Sequence, residues 1–159
     1  MTGSGGKDGE VVGQRFRDED WYAEDLAGRR FTDCTFTDVD LTESTSTGAT
    51  FTSCAFEHSL LNASRHVDSA FVGCHFVRTN LFDAELDGCK LTGSVFVDCT
   101  LRPLTVRGGV WRGVTLRGAT LTRLNLAGLK LAEADLSETR LDLAGAVLLA
   151  EHLGAVVET

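Results

Sequence analysis

Residues 31–56 read FTDCTFTDVDLTESTSTGATFTSCAF. Phe31, Phe36, Leu41, Phe51 and Phe56 fall five residues apart. Stepping outward in both directions keeps the phase. Every fifth position from Leu26 to Leu141 is apolar except Ser46 and His66, and Phe16 and Trp21 extend the series backwards. A second column lies two residues before each large residue and holds mostly Cys, Ser, Thr, Ala and Val. All five cysteines, Cys34, Cys54, Cys74, Cys89 and Cys99, fall in it. Two residues separated by one point to the same side of an extended segment. A period of five sustained over this length fits neither an amphipathic helix nor an alternating strand. It calls for a repeat architecture, in which each short unit buries its face only by stacking on the next. The position two after the large residue is often Gly (Gly28, Gly48, Gly73, Gly88, Gly93, Gly108, Gly113, Gly118, Gly128), which suits a corner in every repeat.

The two columns resemble the pentapeptide repeat family, with a central Leu or Phe and a small residue before it, from about Phe16 to Leu141. The resemblance implies an all-β fold, a right-handed quadrilateral β-helix with four repeats per turn. Reading every twentieth residue agrees with it. One side gathers Phe36, Phe56, Phe76 and Phe96, another Leu41, Leu61, Leu81 and Leu101, a third Phe31, Phe51 and Phe71, and the fourth Leu26, Ser46, His66, Leu86 and Val106. The expected organisation is a flexible tail over 1–13, the β-helix over 14–141 and a C-terminal capping and dimerisation helix within 142–159. Asp142 reads as the N-cap of a helix running to Val157. Leu143, Val147, Leu149, Leu153 and Val156 leave that segment little polar surface, so they are the candidate cap and dimer contacts.

The chain has 159 residues with a formal net charge of −8. Residues 1–100 carry 17 acids against 8 bases, and residues 101–159 carry 6 against 7. An acidic rod repels nucleic acid and favours basic partners. Arg102, Arg107, Arg112 and Arg117, spaced by five, form a basic girdle around one coil. No apolar run is long enough to span a membrane. The start, Met1 to Glu10, is polar and Gly-rich, so a cytoplasmic protein with free core thiols is expected. No metal-ligand spacing, phosphate loop or dinucleotide fingerprint occurs, so no catalytic residue, metal or cofactor is assigned. His66 stacked over Ser46 is the one arrangement that suggests a nucleophile and base. With no acid placed to orient the histidine, core hydrogen bonding is the simpler account.

Within the family, the stretches Phe16–Asp20 (FRDED), Gly93–Thr105 (GSVFVDCTLRPLT) and Leu141–Gly154 resemble members that imitate double-stranded DNA. What this resemblance implies is a homodimer that occupies the DNA-binding surface of DNA gyrase or a related type II topoisomerase and protects it from fluoroquinolones or natural gyrase poisons. The candidate acidic contact residues are Asp38, Asp40, Glu43, Glu57, Asp83, Glu85, Asp87 and Asp98. The alternative is a generic protein-interaction scaffold.

Overall fold

The computed structural model describes residues 9–101, 103–117, 120–121 and 133–158. Short parallel strands pair at a constant offset of twenty residues and stack into a four-sided β-helix. Face 1 pairs Glu10–Val12, Arg30–Thr32, Thr50–Thr52 and Ala70–Val72, with Val11, Phe31, Phe51 and Phe71 inward. Face 2 is a six-stranded ladder from Arg15–Arg17 to Thr115–Arg117. It buries Phe16, Phe36, Phe56, Phe76, Phe96 and Leu116. Face 4 pairs Thr45–Thr47, Arg65–Val67, Ala84–Asp87 and Leu104–Arg107 around Ser46, His66, Leu86 and Val106. Aromatic rings stacked on one another within faces 1 and 2 lie 4.5 to 5.0 Å apart. That is the strand-to-strand spacing of a sheet.

Face 3, lined by Trp21, Leu41, Leu61, Leu81 and Leu101, is built differently. Single bridges link Asp20, Asp40, Leu60, Asn80 and Thr100. Each repeat then makes a tight turn, with Glu24 N–H donating to Trp21 O (3.1 Å), Ser44 to Leu41 (3.0 Å), Ser64 to Leu61 (3.1 Å) and Ala84 to Leu81 (3.0 Å). The third turn residue has a positive φ, as at Ala23 (57°), Glu43 (58°), Ala63 (55°) and Asp83 (61°), which is the type II geometry.

Corners need left-handed backbone, and every fifth residue from Gly13 to Asp98 supplies it. Glycine does this without steric cost. Here most corners carry side chains, and the commonest of them is Asp, one of the few side chains that tolerate the left-handed region. Pro103 falls on the same step, and its ring holds φ near −65°. The face 4 strands on either side of it, Ala84–Asp87 and Leu104–Arg107, lengthen to four residues. Gly109 (φ 94°) is dictated by space as well, since a Cβ there would sit 2.3 Å from Cys89 O.

The small column has a physical reason. The five cysteines, Ser59, Thr79 and Ser94 donate to the carbonyl of the inward residue 23 positions earlier. Cys54 Sγ meets Phe31 O at 3.5 Å, Ser59 Oγ meets Phe36 O at 3.0 Å, Cys74 Sγ meets Phe51 O at 3.3 Å and Thr79 Oγ1 meets Phe56 O at 2.9 Å. All five cysteines are free and buried. Burial pushes the Cys89 and Cys99 thiols up to about 11, so neither is a ready nucleophile. Arg29 also occupies this column. It is buried with its guanidinium over Phe31 at 4.9 Å and Trp21 at 5.7 Å.

Two boundaries differ from the sequence reading. The β-helix begins at Glu10 rather than at 14, because Val11 pairs with Phe31 and is buried. Residues 1–8 lie outside the described residues, as do Leu126 and Leu131 of the large-residue series. Helix α1 spans Leu143–His152 and stops short of Val157. Asp142 is its N-cap, accepting from Gly145 N–H at 2.7 Å. Gly154, with φ 92°, ends it in the usual glycine-terminated way. Leu149 packs with Leu136 and Leu141 against the end of the core. No helix among the described residues is long and apolar enough to cross a membrane.

Candidate functional site

The eight candidate acids do not form one surface. Asp38, Asp40 and Glu43 come together on face 3 and its two corners. Asp38 (φ 53°) and Glu43 (φ 58°) are exposed corner residues. Asp40 stands between them, bridged to Asp20 and Leu60. Asp83 (φ 61°) shares the Glu43 corner column two coils on, with Ala63 between. Glu57, Glu85 and Asp87 are elsewhere. Glu57 lies on face 2, in a shallow depression that also contains Arg15 and Arg17. Glu85 and Asp87 lie on face 4, where Glu85 pairs with Arg65 at 3.2 Å. Asp98 shares the Asp38 corner column three coils on, with His58 and Arg78 between them.

Two acids missing from the candidates belong with the first group. Asp18 occupies the corner column of Asp38, and Asp20 pairs directly with Asp40. Their twenty-residue offset from Asp38 and Asp40 is visible in the sequence. The signal was there, but the first coil had no secure boundary. Over the first three coils the turns of face 3, residues 18–24, 38–44 and 58–64, contain no Lys or Arg.

Several of these acids also hold the fold. Asp20 Oδ1 accepts Tyr22 N–H and Asp40 Oδ1 accepts Thr42 N–H, each at 2.9 Å, and Asn80 does the same for Phe82. These are Asx turns, in which a side-chain oxygen stands in for a backbone one. Any Asn at these positions keeps the turn, whereas Lys would lose it. Glu43 accepts from the Tyr22 hydroxyl. That hydrogen bond, then the charges of Glu43 and Asp40, raise the Tyr22 phenol above its ordinary pKa and keep it protonated.

The arginine girdle is partly resolved into roles. Arg107 is exposed on face 4. Arg112 reaches Glu133 through Nε and Nη2, both at 3.4 Å. Arg102 and the Arg117 side chain lie outside what is described. At the C-terminal end Leu143, Leu153 and Val156 are exposed, while Val147 and Leu149 are half-buried. Leu153 is the C-cap and Val156 lies beyond the helix.

The Ser46–His66 contact is real and sealed. Ser46 Oγ lies 2.7 Å from His66 Nδ1 and 2.8 Å from Ser69 Oγ, and Ser64 Oγ lies 3.1 Å from His66 Nε2. Both ring nitrogens face hydroxyls, not a carboxylate that would orient a base. Burial depresses the His66 pKa to about 4, so the ring is neutral at pH 7. Among the described residues no group of His, Cys, Asp or Glu is arranged to hold a metal.

The family model for pentapeptide repeats matches eight copies, over residues 68–98 and 109–148. Among solved structures, a trypsin-treated variant of QnrB1, a plasmid-mediated fluoroquinolone resistance protein, is 20% identical, with a TM-score of 0.52 over 93% of this chain and 97% of that one. A second trypsin-treated variant of QnrB1 is 22% identical, with a TM-score of 0.46 over 95% and 92%. A pentapeptide repeat protein from the Arabidopsis thaliana thylakoid lumen is 16% identical, with a TM-score of 0.39 over 94% and 82%. At these identities the likeness carries the fold alone. No curated protein matches the sequence significantly.

Proposed function

Taking as premise that the chain is a pentapeptide-repeat protein, we propose that it is a cytoplasmic binding protein with no chemistry of its own. It engages DNA gyrase or a related type II topoisomerase in place of DNA and so shields the enzyme from fluoroquinolones or natural gyrase poisons. The observation that carries this reading is the placement of Asp18, Asp20, Asp38, Asp40 and Glu43 on one side of a rigid rod, in successive coils. Backbone pairing fixes the axial step between them at about 4.8 Å. Fixed negative charge at short, regular intervals is what a protein groove built for a duplex recognises. Two such rods meet end to end through the C-terminal segment, where Leu143, Leu153 and Val156 are exposed. The alternative is a scaffold for some other basic partner.

The test replaces charge without removing the Asx acceptors. Asp20→Asn, Asp38→Lys, Asp40→Asn and Glu43→Lys, combined, should weaken gyrase binding at least about tenfold and flatten its dependence on salt between roughly 50 and 300 mM. Arg107→Gln with Arg112→Gln is the control and should leave binding unchanged or tighter. Unchanged affinity in the acid variant refutes the acidic-surface mechanism. Absence of wild-type binding at micromolar gyrase leaves the scaffold reading in front. Light scattering at the same concentrations tests the dimer.

A further inference from the structure

Face 3 carries more than charge. Among the described residues before the C-terminal segment, the exposed large apolar side chains are Tyr22, Leu60 and Phe82, all on this face, and Val12 on face 1. Tyr22 and Phe82 occupy the tip of the turn, the second of its four residues, which the type II geometry pushes away from the core. Folding does not ask for aromatics there. The same tip is Thr42 in the second coil and Asn62 in the third, with the same backbone hydrogen bonds on either side. Phe82 is 51% exposed and Tyr22 55%, although polar residues would serve the turn as well. Leu60 replaces the Asx acceptor that Asp20, Asp40 and Asn80 provide, so it forgoes a turn contact for an exposed apolar surface. It borders a shallow depression with Asp38, Val39, Asp40 and His58.

We infer that face 3 is a docking surface for a basic protein segment that also presents apolar side chains, laid along the rod axis. Tyr22, Leu60 and Phe82 take its apolar side chains, and Asp18, Asp20, Asp38, Asp40 and Glu43 take its lysines or arginines. Charge complementarity selects the partner: the turns of the first three coils on this face hold those acids and no Lys or Arg, and in the fourth coil, which carries Phe82, Arg78 and Asp83 occupy the two corners. The apolar side chains add burial that charge alone does not supply, and the acids beside them repel a nucleic acid, whose bases could otherwise stack on Tyr22 and Phe82. A mixed surface of this kind keeps part of its affinity at high salt, because ions screen the charges but not the apolar burial. The inference rests on the binding surface proposed above and not on the identity of gyrase as partner.

The experiment uses the full chain and two synthetic probes of equal charge, an amphipathic Lys/Leu peptide and an oligolysine. Binding is measured by interferometry at roughly 50 and 300 mM salt. The Lys/Leu peptide should bind more tightly and persist at the higher salt, while oligolysine should be lost. Leu60→Ser with Phe82→Ser should weaken the Lys/Leu peptide about tenfold and leave oligolysine unchanged. Thr42→Phe, which adds an aromatic at an equivalent tip, should tighten the Lys/Leu peptide. Equal affinity for the two probes, or an unchanged Lys/Leu affinity in both variants, overturns the inference. Intact peptide behaviour without gyrase binding removes gyrase and keeps the surface. Gyrase binding without discrimination between the peptides does the reverse.

Discussion

Faces 2 and 4 are built on the same parallel, twenty-residue pairing and have opposite interiors. On face 2, Phe36, Phe56, Phe76 and Phe96 stack within 5° of parallel, 4.5 to 4.8 Å apart. On face 4 the equivalent column runs Ser46, His66, Leu86 and Val106, in the same register and equally buried. The coil-to-coil hydrogen bonds do not depend on which side chain points inward. What matters is that each inward position leaves neither a void nor an orphaned polar atom. Face 2 meets this with identical rings. Face 4 meets it by gathering its polar residues, so that Ser46 and His66 are vertical neighbours and Ser64 and Ser69 supply the remaining contacts. A single inward His in a column of Leu would have no such partners.

The sharpest way to break this comparison is at the middle of the stack. Phe56→Ala should cost about 3–5 kcal/mol of unfolding free energy, read from denaturant titration, because the rings above and below hold the cavity open. A loss under about 1 kcal/mol would show that the coil collapses around missing rings and that face 2 is no better packed than face 4.

The face 4 seam should respond to pH as face 2 cannot. The folded pKa of His66, about 4, lies below the ordinary value of 6.5. The unfolded chain therefore binds more protons between these values. Stability is complete above about pH 6.5, falls with pH, and has lost on the order of 3 kcal/mol by pH 4. At pH 7, His66→Leu should cost about 1–3 kcal/mol, since Ser64 loses its ring partner. The same variant should flatten this part of the acid profile. Adding Ser46→Ala and Ser64→Ala should recover part of the cost, because unpaired hydroxyls are then no longer buried. Thermal melts from pH 4 to 7 compare the set. An unchanged acid slope in His66→Leu would place the sensitivity elsewhere.

The smallest effect is expected where the two kinds of interior use one device. Cys54→Ser should cost less than about 1 kcal/mol. The serine hydroxyl finds Phe31 O, as Ser59 finds Phe36 O and Ser94 finds Phe71 O. Read from the sequence alone, a serine at 54 would bury a hydroxyl of uncertain partner and the cost would be set at about 1–3 kcal/mol. The carbonyl 23 residues back is a tertiary neighbour and lowers that figure. A larger loss would mean that thiol volume, not the hydrogen bond, decides this column.

Most of the fold was legible because the period of five is a local property repeated many times. Each inward Leu or Phe declares its side, and errors at Ser46 or His66 are outvoted by neighbours in phase. The N-terminal boundary was not legible. Val11 lies five before Phe16, in phase with the series, but it stands among Gly9, Glu10, Val12 and Gly13, and its pairing with Phe31 is what fixes it as a coil residue. The candidate site was legible in part. Asp38, Asp40 and Glu43 are close in the sequence and remain close in space. Glu57, Glu85 and Asp87 turn to other faces, because five residues of chain rotate the surface by a quarter turn, while Asp98 returns to the Asp38 corner three coils on.

By itself the sequence determined the five-residue repeat, its inward residues and the acidic character of the first half, since these follow from periodicity and composition, and the grouping of every twentieth residue agreed with the four-sided coil that the family resemblance implies. Only the tertiary structure decided which acids share a face, that Asp20 and Asp40 brace turns as well as carrying charge, and that Tyr22, Leu60 and Phe82 stand exposed beside them. Those properties depend on residues about twenty apart becoming neighbours at about 4.8 Å and on turn geometry setting which side chain projects. Neither is encoded in any single repeat.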